Sequence, residues 1–433
     1  MRRPFSFQGR VPYIYRELPA TPGAVAVYSL LPICTAQVMT KFSFSNRIAW
    51  NSELNRLSGL LERLRREGKE ILDLTGSNPT KAGFLFPPET LREGLIQPGI
   101  TDYDPHPRGL QVTREAIAVY YADHGIAVNP ESIYCTAGTS EAYSMLFKLI
   151  GDPGDEILVP VPSYPLFEYL VSFEALHPVP FHLRYFDGKG WRVDRGSVET
   201  ACSNRTRGLI IVNPNNPTGS YLAAEDREFL AAFCRQRDMA LIVDEVFHDY
   251  CFLDEQPPSV LEQESPCLLF ALNGFSKTLC LPQVKLSWFV VSGPPDVKHE
   301  ARLWLDILHD SYLSVSTPVQ LAAPVLLRRR EIIQEAVRRR CRENLSCIRT
   351  AMEPFDWIEV FPVEGGWSAV LGTPLIDDGE EFALRLLEHR HVLVHPGYLY
   401  DFPDDLYLVV SLLPAVETFR AGIKRLAEAF ADL

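Results

Sequence analysis

The chain has no Cys-x-x-Cys pair, no apolar run long enough to span a bilayer, and no excess of basic residues. Each absence closes a class of function. Nine scattered cysteines, odd in number and without a neighbouring histidine pair, indicate neither a zinc site nor a disulfide framework. They suit a reducing compartment, and no metal is expected. Lys and Arg total 42 against 55 Asp and Glu, a net charge of −13. That balance disfavours a nucleic-acid partner, because phosphate backbones are held by surplus cations. The nearest thing to a targeting segment is the apolar stretch 24–36, but Glu17 and four prolines precede it and no stop-transfer run follows. We expect a cytoplasmic protein with no membrane segment and an N-terminal arm, with Met39 as an alternative start. There is no internal repeat and no low-complexity tract. At 433 residues, 46% of them hydrophobic and 22% charged, the chain can fold into two domains.

What is present is organised around Asn273-Gly-Phe-Ser-Lys-Thr278. The preceding run Cys267–Leu272 reads as a buried strand, which delivers Lys277 to a strand end, where open parallel sheets hold ligands. A lysine desolvated there loses its proton more readily, as an amine must before it attacks a carbonyl to form a Schiff base. Two more apolar runs end in polar tips: Gly208–Val212 leads into Asn-Pro-Asn-Asn-Pro-Thr-Gly219, and Ala240–Val243 leads into Asp244-Glu245. A lysine, an aspartate and an asparagine presented from three strand ends are what a pyridoxal phosphate ring needs from its protein. Asp244 faces a desolvation cost that a pyridinium nitrogen would offset; Glu245 is the competing choice. Ile133–Thr136 is a strand opening into a helix from Glu141 to Ile150. Thr139 and Ser140, beside that helix N-terminus, suit a phosphate, although a plain N-cap is the simpler reading.

With these motifs in this order, the sequence resembles the class I/II aminotransferases of pyridoxal-phosphate fold type I, from about Leu72 to the C-terminus. The resemblance implies an α/β fold. A three-layer α/β/α sandwich with a mostly parallel sheet would bind the cofactor, and a smaller α/β domain would close over it. The divisions expected are an arm at 1–45, a segment at 46–78 joining the small domain, a large domain at 79–302 and a small one at 303–433. It also implies a homodimer with shared sites, acting on an amino donor and a keto-acid acceptor. Residue by residue, Lys277 would form the Schiff base and act as acid and base, and Asp244 would hold the pyridinium. Asn216 would reach the phenolic oxygen and Tyr164 the ring face. Thr139, Ser140 and Lys285 would take the phosphate, and Tyr103 would reach a partner subunit's phosphate. Ser77, Asn216 and Arg108 are candidate substrate contacts.

Four departures bear on the chemistry. Phe247 stands where the family has a tyrosine, Lys285 where it has an arginine, and Ser77 where a glycine often meets substrate. Val409, two residues before Ser411, replaces the arginine that grips a substrate carboxylate, so no fork-to-fork pair can form there. Arg47, Lys81, Arg108 and His395 are the remaining candidates for that grip. These gaps keep open a lyase, racemase or cyclase acting at an α-carbon, and an inactive cofactor-binding protein. Away from the site, Asn51–Gly68 carries Leu54, Leu57, Leu60, Leu61 and Leu64 at helical spacing, with Asn51 or Ser52 as cap. The runs Arg328–Arg330 and Arg338–Arg340 read as a solvated face of one helical pattern, whose apolar positions run from Leu321 through Ile332 to Leu345.

Overall fold

The computed structural model describes residues 45–48, 55–374, 378–404 and 406–433. The expected arm up to residue 44, the alternative start and the proposed caps Asn51 and Ser52 lie outside them. The first long helix is Arg56–Arg66, and its cap is Asn55, whose side chain accepts from Ser58 N at 2.7 Å. Leu57, Leu61 and Leu64 recur on its buried face. It leads into β1 (Leu72–Asp73), which pairs in parallel with a late strand, Val392–Leu393, so the start of the described chain is tied to its end.

Eight strands then form one mixed, mostly parallel sheet: β2 (Ile133–Thr136), β3 (Glu156–Val161), β4 (His177–Phe186), β5 (Gly190–Val193), β6 (Thr206–Val212), β7 (Ala240–Asp244), β8 (Leu269–Gly274) and β9 (Ser287–Ser292). Their spatial order is β2-β9-β8-β7-β6-β3-β4-β5. Neighbours from β8 to β4 run parallel, whereas β9 runs against both β2 and β8, and β5 returns as a hairpin on β4. Parallel central strands must be covered on both faces, which is why they read as unbroken apolar runs. The alternation in β9 shows the two faces. Phe289 and Val291 pack with Leu146, Phe147 and Leu305 from the helices Thr139–Ile150 and Pro295–Asp310, while Trp288 and Val290 pack with Ile117 and Tyr120 from Gln111–Ala122. Ala224–Gln236 adds Leu230 and Phe233 to a further cluster with Leu209 and Leu241. The result is the three-layer sandwich.

Beyond the long helices the chain forms β10 (Glu359–Val360), β11 (Ser368–Gly372), β12 (Val392–Leu393), β13 (His395–Pro396) and β14 (Tyr407–Ser411). All but β12 join a four-stranded antiparallel sheet, β10-β11-β14-β13.

The basic runs need correction. The apolar pattern from Leu321 to Leu345 divides between two helices, Thr317–Leu327 and Arg330–Met352, and Ile332 is exposed. The arginines are not simply solvated. Arg330 is buried and donates to Leu327 O and Asp123, Arg338 donates to Asp249 O, and Arg340 donates to Ala82 O and Leu413 O. A guanidinium offers five donors in a fixed fork, so it can tie loop carbonyls to a helix, a use invisible to helical periodicity.

Candidate active site

The exits of β6, β7 and β8 lie side by side: Val212 pairs with Asp244, and Asp244 with Leu272. Asn213 N donates to Asp244 O and Glu245 N to Leu272 O, so the register continues into the loops. One residue beyond β8 begins the short helix Phe275–Thr278, which carries Lys277. Its Nζ lies 5.0 Å from the centre of the Trp367 ring and 5.5 Å from that of Phe247. Burial lowers this ammonium below its ordinary 10.5, against the raising effects of Cys280 and Asp244. Desolvation therefore moves Lys277 toward the free amine that nucleophilic chemistry requires.

The two adjacent acids differ in their surroundings. Glu245 is fully engaged, accepting from Asn213 Nδ2, Ser259 Oγ and Val260 N. Among the described residues the Asp244 carboxylate accepts only from Val246 N at 3.1 Å and Tyr143 Oη at 2.9 Å. Burial pushes its carboxyl up to about 6, with those hydrogen bonds and Lys277 pulling the other way. A buried carboxylate left short of cationic partners fits a cationic ring nitrogen. The asparagines sort similarly. Asn213 and Asn215 are buried and bonded into the loop, to Glu245 and Leu222 N and to Pro162 O and Thr218. Asn216 touches only Ser368 Oγ, at 3.5 Å through its Oδ1, leaving its amide N–H groups without a bond among the described residues.

The helix expected to start at Glu141 starts at Thr139, with Gly138 before it and no side chain capping it. Thr139 and Ser140 thus occupy its first turn, where N–H groups lack helical partners and favour anions. Lys285 Nζ stands 3.2 Å from where a Cβ on Gly138 would lie. Tyr164 is partly exposed and sets its ring edge against Phe167. Tyr103 is 80% exposed.

The substrate candidates fare less well. Arg108 is bonded to both oxygens of Asp306 and to Glu131, which makes it a tie between loop and helix rather than a substrate ligand. Arg47 donates to Phe173 O. Ser77 is exposed, and it is Gly76 O that accepts from Ser411 Oγ at 2.7 Å. Burial pushes the His395 ring down to about 4, so at neutral pH it carries no charge for a carboxylate. Val409 is 1% exposed in β14, opposite Val370 and His395, and its neighbours Leu408 and Val410 are buried aliphatics too. No shift of register by one residue puts a cation there. Arg420 is 65% exposed beside Glu343.

Sequence reasoning missed three contributors. Tyr143, on the buried face of the Thr139–Ile150 helix, donates to Asp244 across 101 residues, a contact that no local pattern marks. Tyr250 Oη donates to Lys277 O at 2.6 Å. Asp249 accepts from Tyr120 Oη and Gln334 Nε2; Tyr120 Oη in turn accepts from Asn273 Nδ2, and Gln334 also donates to Thr278 O. The turn that carries Lys277 is therefore clamped on both sides by buried polar groups.

Compared with known proteins, residues 70–418 match the family described as aminotransferase class I and II. The chain belongs to that family. It is a pyridoxal-phosphate-dependent aminotransferase, and the site residues above fit the group: a desolvated lysine, an under-partnered buried acid and an uncapped helix start. This aminotransferase is 26% identical over 409 residues to an alanine aminotransferase of Mycobacterium tuberculosis, covering 92% of this chain and 95% of the other. It is 28% identical over 388 residues to the glutamate-pyruvate aminotransferase AlaA of Haemophilus influenzae, covering 86% and 93%. Among solved structures, the alanine aminotransferase of Pyrococcus furiosus superposes with a TM-score of 0.80 at 24% identity, over 90% of this chain and all of that one. A Thermus thermophilus aspartate aminotransferase double mutant gives 0.76 at 25%, with the same coverage. The fold of the aminotransferase is thus that of its family, including the mostly parallel sheet.

Proposed function

We propose that this aminotransferase moves an amino group from an amino acid or amine to a keto acid, with Lys277 as the covalent anchor of the cofactor and then the acid and base of the reaction. Once bound, the cofactor supplies the electron sink that makes the substrate's α-hydrogen acidic. With the cofactor bound, Lys277 Nζ would carry a proton between the substrate's α-carbon and the cofactor's C4′ carbon. Asp244 holds the cationic ring nitrogen, Asn216 the ring oxygen and Tyr164 the ring face. Thr139, Ser140 and Lys285 hold the phosphate. We place the protein in the cytoplasm as a homodimer whose Tyr103 reaches the partner subunit's phosphate, and we divide it into a large domain at 79–302 and a small one at 303–433. No helix among the described residues is long and apolar enough to cross a membrane.

The observation that carries this reading is the aligned exit of β6, β7 and β8, which sets Asn216, Asp244 and Lys277 at one edge. The donor is the open part. Relatives are named for alanine and for glutamate and pyruvate, but Val409 leaves β14 without a cation to grip a substrate carboxylate. We therefore propose a donor whose carboxylate is absent or is held away from β14. The test is a single half-reaction: the protein carrying its cofactor is mixed with one donor at a time and followed by absorbance. Loss of the visible band with release of one equivalent of keto acid or aldehyde is expected. Release of ammonia with the band unchanged would instead mean that the chain eliminates rather than transfers.

A further inference from the structure

The segment Lys285–Ser287 places two polar groups where two glycines leave room. Gly138 and Gly274 both have nearly extended backbones, with φ of 179° and 177°, which any residue can adopt. Neither needs to be glycine for its conformation. Space is the reason. A Cβ on Gly138 would meet Lys285 Nζ, and a Cβ on Gly274 would overlap Ser287 Oγ and lie 2.8 Å from the serine's own Cβ. In the sheet, Ser287 pairs with Gly274 on one side and with Thr136 on the other. It therefore stands between the strand end that opens into the Thr139–Ile150 helix and the one that opens into the Lys277 turn. Ser287 is 2% exposed, and its hydroxyl, which has no hydrogen-bond partner among the described residues, is not among their fully enclosed unpartnered polar atoms, so it keeps a small opening. Thr136 Oγ1, its neighbour, is bonded to Gly138 O. A hydroxyl that faces a narrow opening with no protein partner can donate to an acceptor that enters it.

We propose that Ser287 Oγ is a ligand of the cofactor's phosphate. It would donate to the phosphate, which the amides of Thr139 and Ser140 and the Lys285 ammonium would also hold. The proposal rests on the reading that the cofactor's phosphate sits at the start of the Thr139–Ile150 helix. Gly274 is then the space that lets the hydroxyl arrive from β9. A single point charge at Lys285 lacks the two-pronged grip of a guanidinium, and the added hydroxyl restores a second directed bond.

The test is a pyridoxal phosphate titration of the full chain freed of cofactor, read by the visible band, together with the phosphorus NMR signal of the bound phosphate. Ser287→Ala should raise the dissociation constant about tenfold, the worth of one hydrogen bond to a charged acceptor, and should move the phosphorus resonance. The paired exchange Gly274→Ser with Ser287→Gly returns a hydroxyl to nearly the same place from β8, and should bring both readings back toward the parent's. If Ser287→Ala keeps the parent's affinity and resonance, the proposal is wrong although the cofactor site stands. If the alanine variant and the exchange are weakened alike, Ser287 acts by packing, and the proposal is also wrong. A parent chain that develops no band at all would overturn both the site and the ligand.

Discussion

Asp244→Asn in the cofactor-free chain isolates what it costs to hold a carboxylate at the end of β7. Burial pushes Asp244 up to about 6 from an ordinary 3.8, and its two hydrogen bonds do not make up the difference. That gap corresponds to about 3 kcal/mol of stability. Its sign follows from the protons bound. Between pH 3.8 and about 6 the native chain keeps a proton that the unfolded chain has lost, so stability falls as pH rises through this window. The full cost is present at pH 8 and absent at pH 3.5. Asparagine keeps an acceptor for Val246 N, can face the Tyr143 hydroxyl, and carries no charge. Urea unfolding of the cofactor-free proteins should find the variant more stable at pH 8 by up to about 3 kcal/mol, with the two converging at acid pH. With cofactor added the order should reverse, because only the carboxylate gains a cationic partner. A variant no more stable than its parent at pH 8, or a gap that persists at pH 3.5, would refute this reasoning.

Phe247→Tyr places a hydroxyl beside Lys277, where Phe247 now presents only a ring. A donor to the ring oxygen stabilises its negative form and disfavours a proton on the adjoining nitrogen. The pH at which the bound cofactor changes colour should therefore fall by about one unit, and an unchanged transition would show that the new hydroxyl does not reach. Gly219→Ala tests the loop that carries Asn216. Gly219 has φ of 70°, and an added Cβ would lie 2.6 Å from Gly365 O and 2.7 Å from Val363 Cγ1. Backbone strain and overlap together should cost about 3 kcal/mol in urea unfolding and weaken cofactor binding, whereas a loss under about 0.5 kcal/mol would mean that the loop relaxes freely.

The sheet was legible because its central strands are buried on both faces. Runs such as Leu209–Val212 and Leu241–Val243 have no polar interruption until the strand ends, and each ends in a motif residue. Strand exits in parallel neighbours must coincide, so Asn216, Asp244 and Lys277 could be grouped before any coordinates. Contacts between distant segments were not legible. Tyr143 reaches Asp244 across 101 residues and Tyr120 reaches Asp249 across 129, with nothing local to mark either. Arg108 lies in a turn-rich loop and was a candidate substrate contact, yet its guanidinium finds Asp306, 198 residues on. The helix cap failed for a different reason. Asn51-Ser-Glu-Leu-Asn55 holds three residues able to cap, and propensity alone does not choose among them. Ser287 was overlooked because a serine in an apolar strand reads as an ordinary core position until Gly274 is seen opposite it.

The central claim is that Lys277 alone carries the cofactor. The most direct measurement is reduction with borohydride of the protein loaded with pyridoxal phosphate, followed by protease digestion and mass spectrometry. The account predicts one modified site, on the peptide containing Phe275-Ser276-Lys277, with loss of the visible band. A phosphopyridoxyl group on another lysine such as Lys285 or Lys81, or on none, would contradict it.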